Sequence, residues 1–416
     1  MRIRNIKLNE FIIILIGIIF IWQVLLQNYI SIFQYFDEII SCIFFMYFIM
    51  SILIKNSIKK IDLAIIIIMF LIIIIGLLGN YKAHIQEEYT PILMDIGNTF
   101  KFCLIFLGAK TYFEKFHNKK VIITVLGKCI RAIIIPGVIC ALINLVTNIN
   151  MYYDVRYGIR SFQFIFNHAG DLYRACLLML MILTIDLSYY RNRNELIKKK
   201  IYIILMLFLL ISTLRSLAII SAIIYLFGYY VFIMNKHIQI KFRYIAIISI
   251  ISISVGYSNF TFYFLNDTTA RAILLRYGLF TMKTYFPLGA GFATYGSYAA
   301  KLYYSKLYNL YNFSDYFGLS KELGNFLDDN YWPYIFGEFG FIGTVLTIML
   351  LYYIFKAAYK SIRINNQARF ANLFGFTSMV LASFASPSFS HTTAVSMFFI
   401  IALISTFSNS NKHTLE

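Results

Sequence analysis

Charge is what this chain has least of. Of its 416 residues only 13% are Asp, Glu, Lys or Arg, against 60% apolar ones, which excludes an ordinary soluble domain. Cysteine is scarce too, with 5 in all. Cys42, Cys103, Cys129, Cys140 and Cys176 are scattered through apolar segments without metal-ligand spacing. They read as small core residues, and imply neither a disulfide framework nor a metal site. No solenoid-type repeat and no low-complexity linker divides the sequence. No cleavable signal peptide is evident, because the first apolar run is long, lacks a small-residue cleavage site and is followed at once by further runs.

What is present is hydrocarbon, in runs such as "IDLAIIIIMFLIIIIGLLG". A membrane span needs roughly 20 mostly apolar residues, and in lipid the backbone must bond to itself, so such runs read as helices. The expected fold is an all-α polytopic membrane protein of about twelve transmembrane helices. They are placed near 11–30, 36–54, 61–79, 92–113, 121–147, 169–190, 201–213, 216–234, 244–259, 331–355, 370–386 and 392–408. The fifth is ambiguous, since "EKFHNKKVIITVLGKCIRA" also suits a basic interfacial helix ahead of the span.

The formal charge of +18 would suggest nucleic acid in a soluble protein. Here well over half of the 37 basic residues fall in short segments on one side of the alternating spans, including "RNRNELIKKK" from Arg191. The positive-inside rule then places both termini in the cytoplasm, and membrane lipids rather than nucleic acid are the expected partner. The same alternation places the long connection at 260–330 outside, as an extracytoplasmic cap between the ninth and tenth spans. Chain 1–416 is otherwise one integral membrane domain. Within the cap, "TARAILLRYGLFTMKTYF" predicts a helix that ends at a proline break, and "YAAKLYYSKLYNLYNF" predicts a second helix with Tyr and Lys faces.

Between those helices lies "PLGAGFATYG", containing Pro287, Gly289 and Gly291. It lacks the strand and the Lys-Ser/Thr ending that nucleotide loops need. Two readings remain: a tight turn that lets the backbone approach its neighbours, or a ligand-facing turn whose N–H groups meet an anion.

Arginine is the more informative residue, because its guanidinium stays charged and grips phosphate oxygens bidentately. Arg156, Arg160, Arg174, Arg215, Arg271 and Arg276 all face the same exterior half. Arg215 in "STLRS" lies deep in an apolar region, where a charge needs a cavity or a partner. For Arg156 and Arg174 snorkelling to the interface is the favoured account over a functional role. Asp328, Asp329 and Glu338 enter the tenth span in "DDNYWPYIFGEFGFIG". Adjacent carboxylates in a partly dry site suit a general base, while helix capping by Asp329 or Asn330 is the plainer role. Glu338, inside the span, is expected to be buried with an arginine partner. His168 and His391 also face outside, and Lys101, Lys128, Arg131, Asp95 and Asp186 lie within spans as transport residues or anchors.

The order "RSFQFIFNHAGDLYRA", "STLRS", "ARAILLRYGLFTMKTYFPLGAGFATYG", "DDNYWPYIFGEFGFIG" resembles the O-antigen polymerase and O-antigen ligase superfamily, the Wzy and WaaL proteins, over Arg160 to Gly343. The family's Arg-led helix and glycine turn map onto Arg271, with Arg276 a second candidate, and onto Pro287, Gly289 and Gly291; its other turn maps onto Arg215, and its Glu-Gly segment onto Glu338, Gly340 and Gly343. Ligases carry a His before an Asn where this chain has Asp329 before Asn330, which favours a polymerase. The resemblance implies a glycosyltransferase with no cofactor and no metal, moving glycan from an undecaprenyl-diphosphate-linked oligosaccharide on the outer face of the bacterial inner membrane. It implies diphosphate binding by Arg215, Arg271, Arg276 and Arg160, and a base in Asp329, with Asp328 and Glu338 as reserves. The cap tyrosines are expected either to stack on sugar rings or to anchor the cap at the headgroup level. A chain-length regulator is a candidate partner. The competing expectations are an O-antigen ligase acting on lipid A core, and, from another class, a lipid-linked oligosaccharide flippase.

Overall fold

The structure is a computed structural model that describes residues 7–190, 192–234, 256–257, 261–266, 268–323, 326–360 and 365–407. It is mostly helical, with 75% helix and 2% strand. Among the described residues eight helices are long and apolar enough to cross a membrane: Leu8–Leu26, Phe36–Lys55, Lys60–Ala83, Tyr89–Lys115, Lys119–Val146, Ala169–Tyr189, Ser216–Met234 and Tyr331–Tyr359. This is an all-α membrane protein. The expected span at 244–259 lies largely outside the described residues.

In chain order the helices are α1 (Leu8–Leu26), α2 (Phe36–Lys55), α3 (Lys60–Ala83), α4 (Tyr89–Lys115), α5 (Lys119–Val146), α6 (Ala169–Asp186), α7 (Arg193–Ser212) and α8 (Ser216–Tyr229). They continue with α9 (Ala270–Thr284), the short turns α10 (Tyr298–Leu302) and α11 (Lys306–Leu310), then α12 (Tyr331–Lys360), α13 (Asn366–Ser383) and α14 (Thr392–Ser405). Helices α4, α6 and α14 form the centre: nearly every residue of α6 is buried, and so is all of α14 from Ala394 onward. Around them, α2 and α14 pack on α4, α13 on α6, and α12 on both α3 and α9. The outer helices turn large apolar side chains such as Ile43, Met46, Phe70 and Leu93 away from the protein, as a lipid-facing surface does.

Among the described residues the buried cations of the bundle are paired. Lys101 meets Asp37 at 2.8 Å, Lys110 meets Asp62, and Arg131 meets Asp186. Asp37 also accepts from Gln23 at 2.8 Å. Lys101, Arg131 and Asp186 are thus interhelical ties, since a lone charge in a dry interior is far costlier than a matched one.

Two local readings are corrected. The basic segment before the fifth span is not a separate interfacial helix, because Lys119–Val146 is continuous, with Pro136 inside it. The second cap helix is instead two turns, α10 and α11, broken where Tyr304 takes a φ of 45° and Ser305 caps the second. A β-hairpin was also not foreseen: β1 (Tyr152–Arg156) pairs antiparallel with β2 (Ile159–Phe162) in the connection from α5 to α6. Its two-residue turn, Tyr157-Gly158, has positive φ at both positions, 52° and 75°, the geometry whose twist matches a hairpin.

The cap has its own apolar cluster, in which Ile273, Leu274, Tyr295, Leu307, Tyr308 and Phe313 are buried. Tyr308 stacks on Phe313 with ring centroids 5.2 Å apart. Of the tyrosines in "YAAKLYYSKLYNLYNF", Tyr308 therefore builds the cap's core, whereas Tyr298 and Tyr303 remain exposed.

Candidate functional site

The glycine segment resolves in favour of the tight turn. Gly289 and Gly291 have φ of +80° and +93°, and a Cβ at either would lie under 3 Å from backbone, of Gly340 in one case and Asn80 in the other. The close approach lets the segment enter a break in α12 at Gly340, whose φ is 61° and ψ −155°. Ala290 N donates to Gly337 O and Gly291 N to Glu338 O, both at 2.9 Å, and Ile342 N donates to Pro287 O at 3.2 Å. The peptide bond before Pro287 is cis. Pro287, Gly289 and Gly291 thus hold the cap to the membrane helix.

The amides that follow are occupied by the protein's own oxygens. Phe292 N donates to Asn80 Oδ1 at 2.8 Å and Ala293 N to Asp95 Oδ2 at 2.7 Å. Thr294 N and Tyr295 N both reach Glu338 Oε1 at 3.0 Å, which also accepts from Ser297 Oγ at 2.8 Å. Gly296 N donates to the Tyr308 hydroxyl at 2.8 Å. Glu338 is fully buried here, so its expected arginine partner is replaced by two amides and a hydroxyl. The loop spends its amides on the carboxyl oxygens of Asp95 and Glu338, both inside the protein.

Most of the arginines expected on the exterior come together elsewhere, where the hairpin, the α7–α8 turn, the start of α9, the start of α12 and the α13–α14 turn meet. Arg215 occupies the N-cap position of α8 without a side-chain capping bond, whereas His168 caps the N-terminus of α6. Arg215 Nη2 lies 3.2 Å from His168 Nε2 and 3.8 Å from Asp154 Oδ2, with its guanidinium 5.1 Å from the Tyr153 ring. Arg156 Nε donates to Asp154 Oδ2 at 2.9 Å. Arg174 Nη1 donates to Asp171 Oδ1 at 3.0 Å, one turn apart on α6. Arg271 Nε donates to Asp329 Oδ2 at 2.7 Å, and its guanidinium sits 4.7 Å from the Tyr263 ring. Tyr263 also lies within electrostatic reach of Arg215, so it links the two halves of the cluster. Arg174 links them again, its charge being felt at His168, Asp329 and His391.

This concentration of cations shapes the titrating groups. Burial, then Arg215 and Arg174, push His168 down to about 4, leaving it neutral at pH 7. Burial with Arg174 and Lys101 holds His391 well below the ordinary histidine range. For Asp154 burial acts upward, but the Ser161 and Arg156 hydrogen bonds and the Arg215 charge prevail and lower it. Asp329 goes the other way, because burial outweighs the opposing Arg271 charge and raises its carboxyl. Beside Arg174 and Asp171 lies a small cavity lined also by Phe20, Phe166, Met379 and Thr393.

The candidates therefore divide. Arg215, Arg271 and Asp329 share the cluster. Arg160 lies at its edge, donating to Asn144 O at 3.2 Å with its guanidinium 6.0 Å from Tyr152. Asp328 pairs with Lys301 of the cap at 2.9 Å. Arg276 is about 140° around the α9 axis from Arg271 by helix geometry, and its charge is felt at Tyr277. Glu338 lies under the glycine loop. The cluster also includes residues that had been given plainer roles or none: Arg174, Arg156, Asp154, Asp171, Tyr153 and Tyr263. The one sequence sign of this was the density of Arg and Asp across "DVRYGIRSFQFIFNHAGDLYR".

No protein-family model matches this sequence, and none of the curated proteins is significantly similar to it.

Proposed function

We propose that this chain is a polysaccharide polymerase of the outer face of a bacterial cytoplasmic membrane. In this reading it has twelve spans: the eight apolar helices, α7, α13, α14 and one at 244–259. Both termini are cytoplasmic, and the cap and arginine cluster face outward. The donor is a glycan on undecaprenyl diphosphate, and the acceptor is a sugar hydroxyl of a second lipid-linked repeat unit.

The observation that carries the proposal is the convergence of Arg156, Arg174, Arg215 and Arg271 around His168 and Asp329 at one end of the bundle. The acceptor oxygen attacks the anomeric carbon of the donor sugar, and the bond from that carbon to the phosphate oxygen breaks. The diphosphate leaves with the electron pair, so negative charge grows on a leaving group set among guanidinium donors, which stabilise it most where water is excluded. Asp329 takes the hydroxyl proton. Burial raises the Asp329 carboxyl and so its affinity for that proton, and the Arg271 charge opposes the rise.

Arg215→Ala and Arg271→Ala in a producing cell should leave the protein in the membrane and abolish long chains. Full-length polymer in both variants would sink the reading. Accumulation of free lipid-linked polymer in a deletion, instead of single repeats on the acceptor, would make the protein a ligase. Vesicles in which lipid-linked sugar crosses the bilayer with no change in glycan length would make it a flippase.

A further inference from the structure

Around the arginine cluster donors and acceptors are mostly matched, which isolates one exception. His168 Nδ1 accepts the Gly170 amide at 2.8 Å. A neutral imidazole that accepts at Nδ1 carries its proton on Nε2. That Nε2–H faces Arg215 Nη2 at 3.2 Å, and a guanidinium has no lone pair to offer. Two donors meet with no acceptor between them. Arg215 Nε is buried as well, and has no hydrogen-bond partner among the described residues. The nearby carboxylate, Asp154, is 3.8 Å from Arg215 and is already engaged by Arg156 and the Ser161 hydroxyl. Tyr153 packs against both groups, 4.1 Å from the His168 ring centroid and 5.1 Å from the guanidinium, and so fixes their mutual geometry.

We propose that Arg215 and the Nε2–H of His168 form an oxyanion subsite, in which one oxygen of a phosphate ester or diphosphate is their shared acceptor. His168 donates a hydrogen bond there and transfers no proton. Assigning that oxygen to the polyprenyl carrier rests on the polymerase reading; a phospholipid headgroup offers the same chemistry.

The test uses the full-length chain in phosphatidylcholine nanodiscs, titrated with inorganic pyrophosphate by calorimetry. His168→Asn keeps an acceptor for the Gly170 amide but deletes the Nε2 donor, whereas His168→Gln places an amide donor near the Nε2 position. Wild type should bind; H168N should bind about 10-fold more weakly at unchanged melting temperature, the loss expected for one charge-assisted hydrogen bond, and H168Q should recover most of it. Equal binding by H168N and wild type overturns the subsite, as does no binding by wild type. Should H168N fail to fold, nitrogen-15 histidine spectra of wild type decide: the Nε2–H resonance moves on adding pyrophosphate if the subsite exists, and an unmoved resonance overturns it. Displacement of pyrophosphate by polyprenyl phosphate alone assigns the site to the carrier, and displacement by phosphatidylglycerol assigns it to a headgroup; both support the subsite. Wild type that binds pyrophosphate but does not lengthen lipid-linked repeats strikes only the polymerase reading, and wild type that lengthens them without binding pyrophosphate strikes only the subsite.

Discussion

Arg271 Nε holds Asp329 Oδ2 at 2.7 Å, across the junction of the first cap helix with the start of α12. Burial raises the Asp329 carboxyl and Arg271 opposes that rise. A base works only when deprotonated, so activity falls as pH drops through its pKa. Arg271→Lys, which retains charge but loses the planar fork, should therefore move the acid limb of the pH–rate profile to higher pH. Asp329→Asn should lower kcat by about 10²–10⁴-fold with little change in KM, the range for a lost general base. A pH profile of chain elongation on purified lipid-linked repeats measures both, and an unshifted limb in R271K counts against Asp329 as the base.

Glu338 is expected to act on stability rather than chemistry. Its Oε1 accepts from Thr294 N, Tyr295 N and Ser297 Oγ in a fully buried site. Glu338→Ala strands these donors, at about 1–3 kcal/mol for each one left unsatisfied, while Glu338→Gln keeps an acceptor oxygen. Thermal unfolding in detergent, together with protease cleavage of the cap, should show E338A much weaker than E338Q.

The buried ties between helices give a second stability test. Lys110→Met alone leaves Asp62 charged and unpaired, and should cost about 3–5 kcal/mol. The double variant Lys110→Met, Asp62→Leu should recover most of that loss, because the matched apolar pair leaves no buried charge. A double variant as unstable as the single one would argue that the pair has a task beyond holding α3 to α4.

Acid should loosen the arginine cluster before it unfolds the bundle. His168 has its folded pKa lowered from 6.5 to about 4, so the unfolded chain binds the proton more readily. Stability from this residue is complete above pH 6.5 and is lost as pH falls from there toward about 4. Melting temperatures across that window should fall less steeply in His168→Asn than in wild type.

Much of the bundle was legible because a lipid-buried backbone leaves few options: the run at 61–79 became Lys60–Ala83, and "TARAILLRYGLFTMKTYF" became Ala270–Thr284. The partners of buried charges were not legible, since they are remote in sequence. Glu338 finds its amides at 294 and 295, and Lys101 finds Asp37. Arg156 and Arg174 read as snorkelling residues until the hairpin brought Asp154 and His168 beside Arg215. The hairpin itself escaped notice because its strands are short, although Tyr157-Gly158 is a turn signal with a mechanism.

The break in α12 has a mechanical consequence. Because Ala290 and Gly291 take up carbonyls that an unbroken helix would have used, the glycine strand is spliced into the helix's own bonding ladder. A cap fastened in this way swings with α12 as a lever, and does not lift from it as a lid on a hinge.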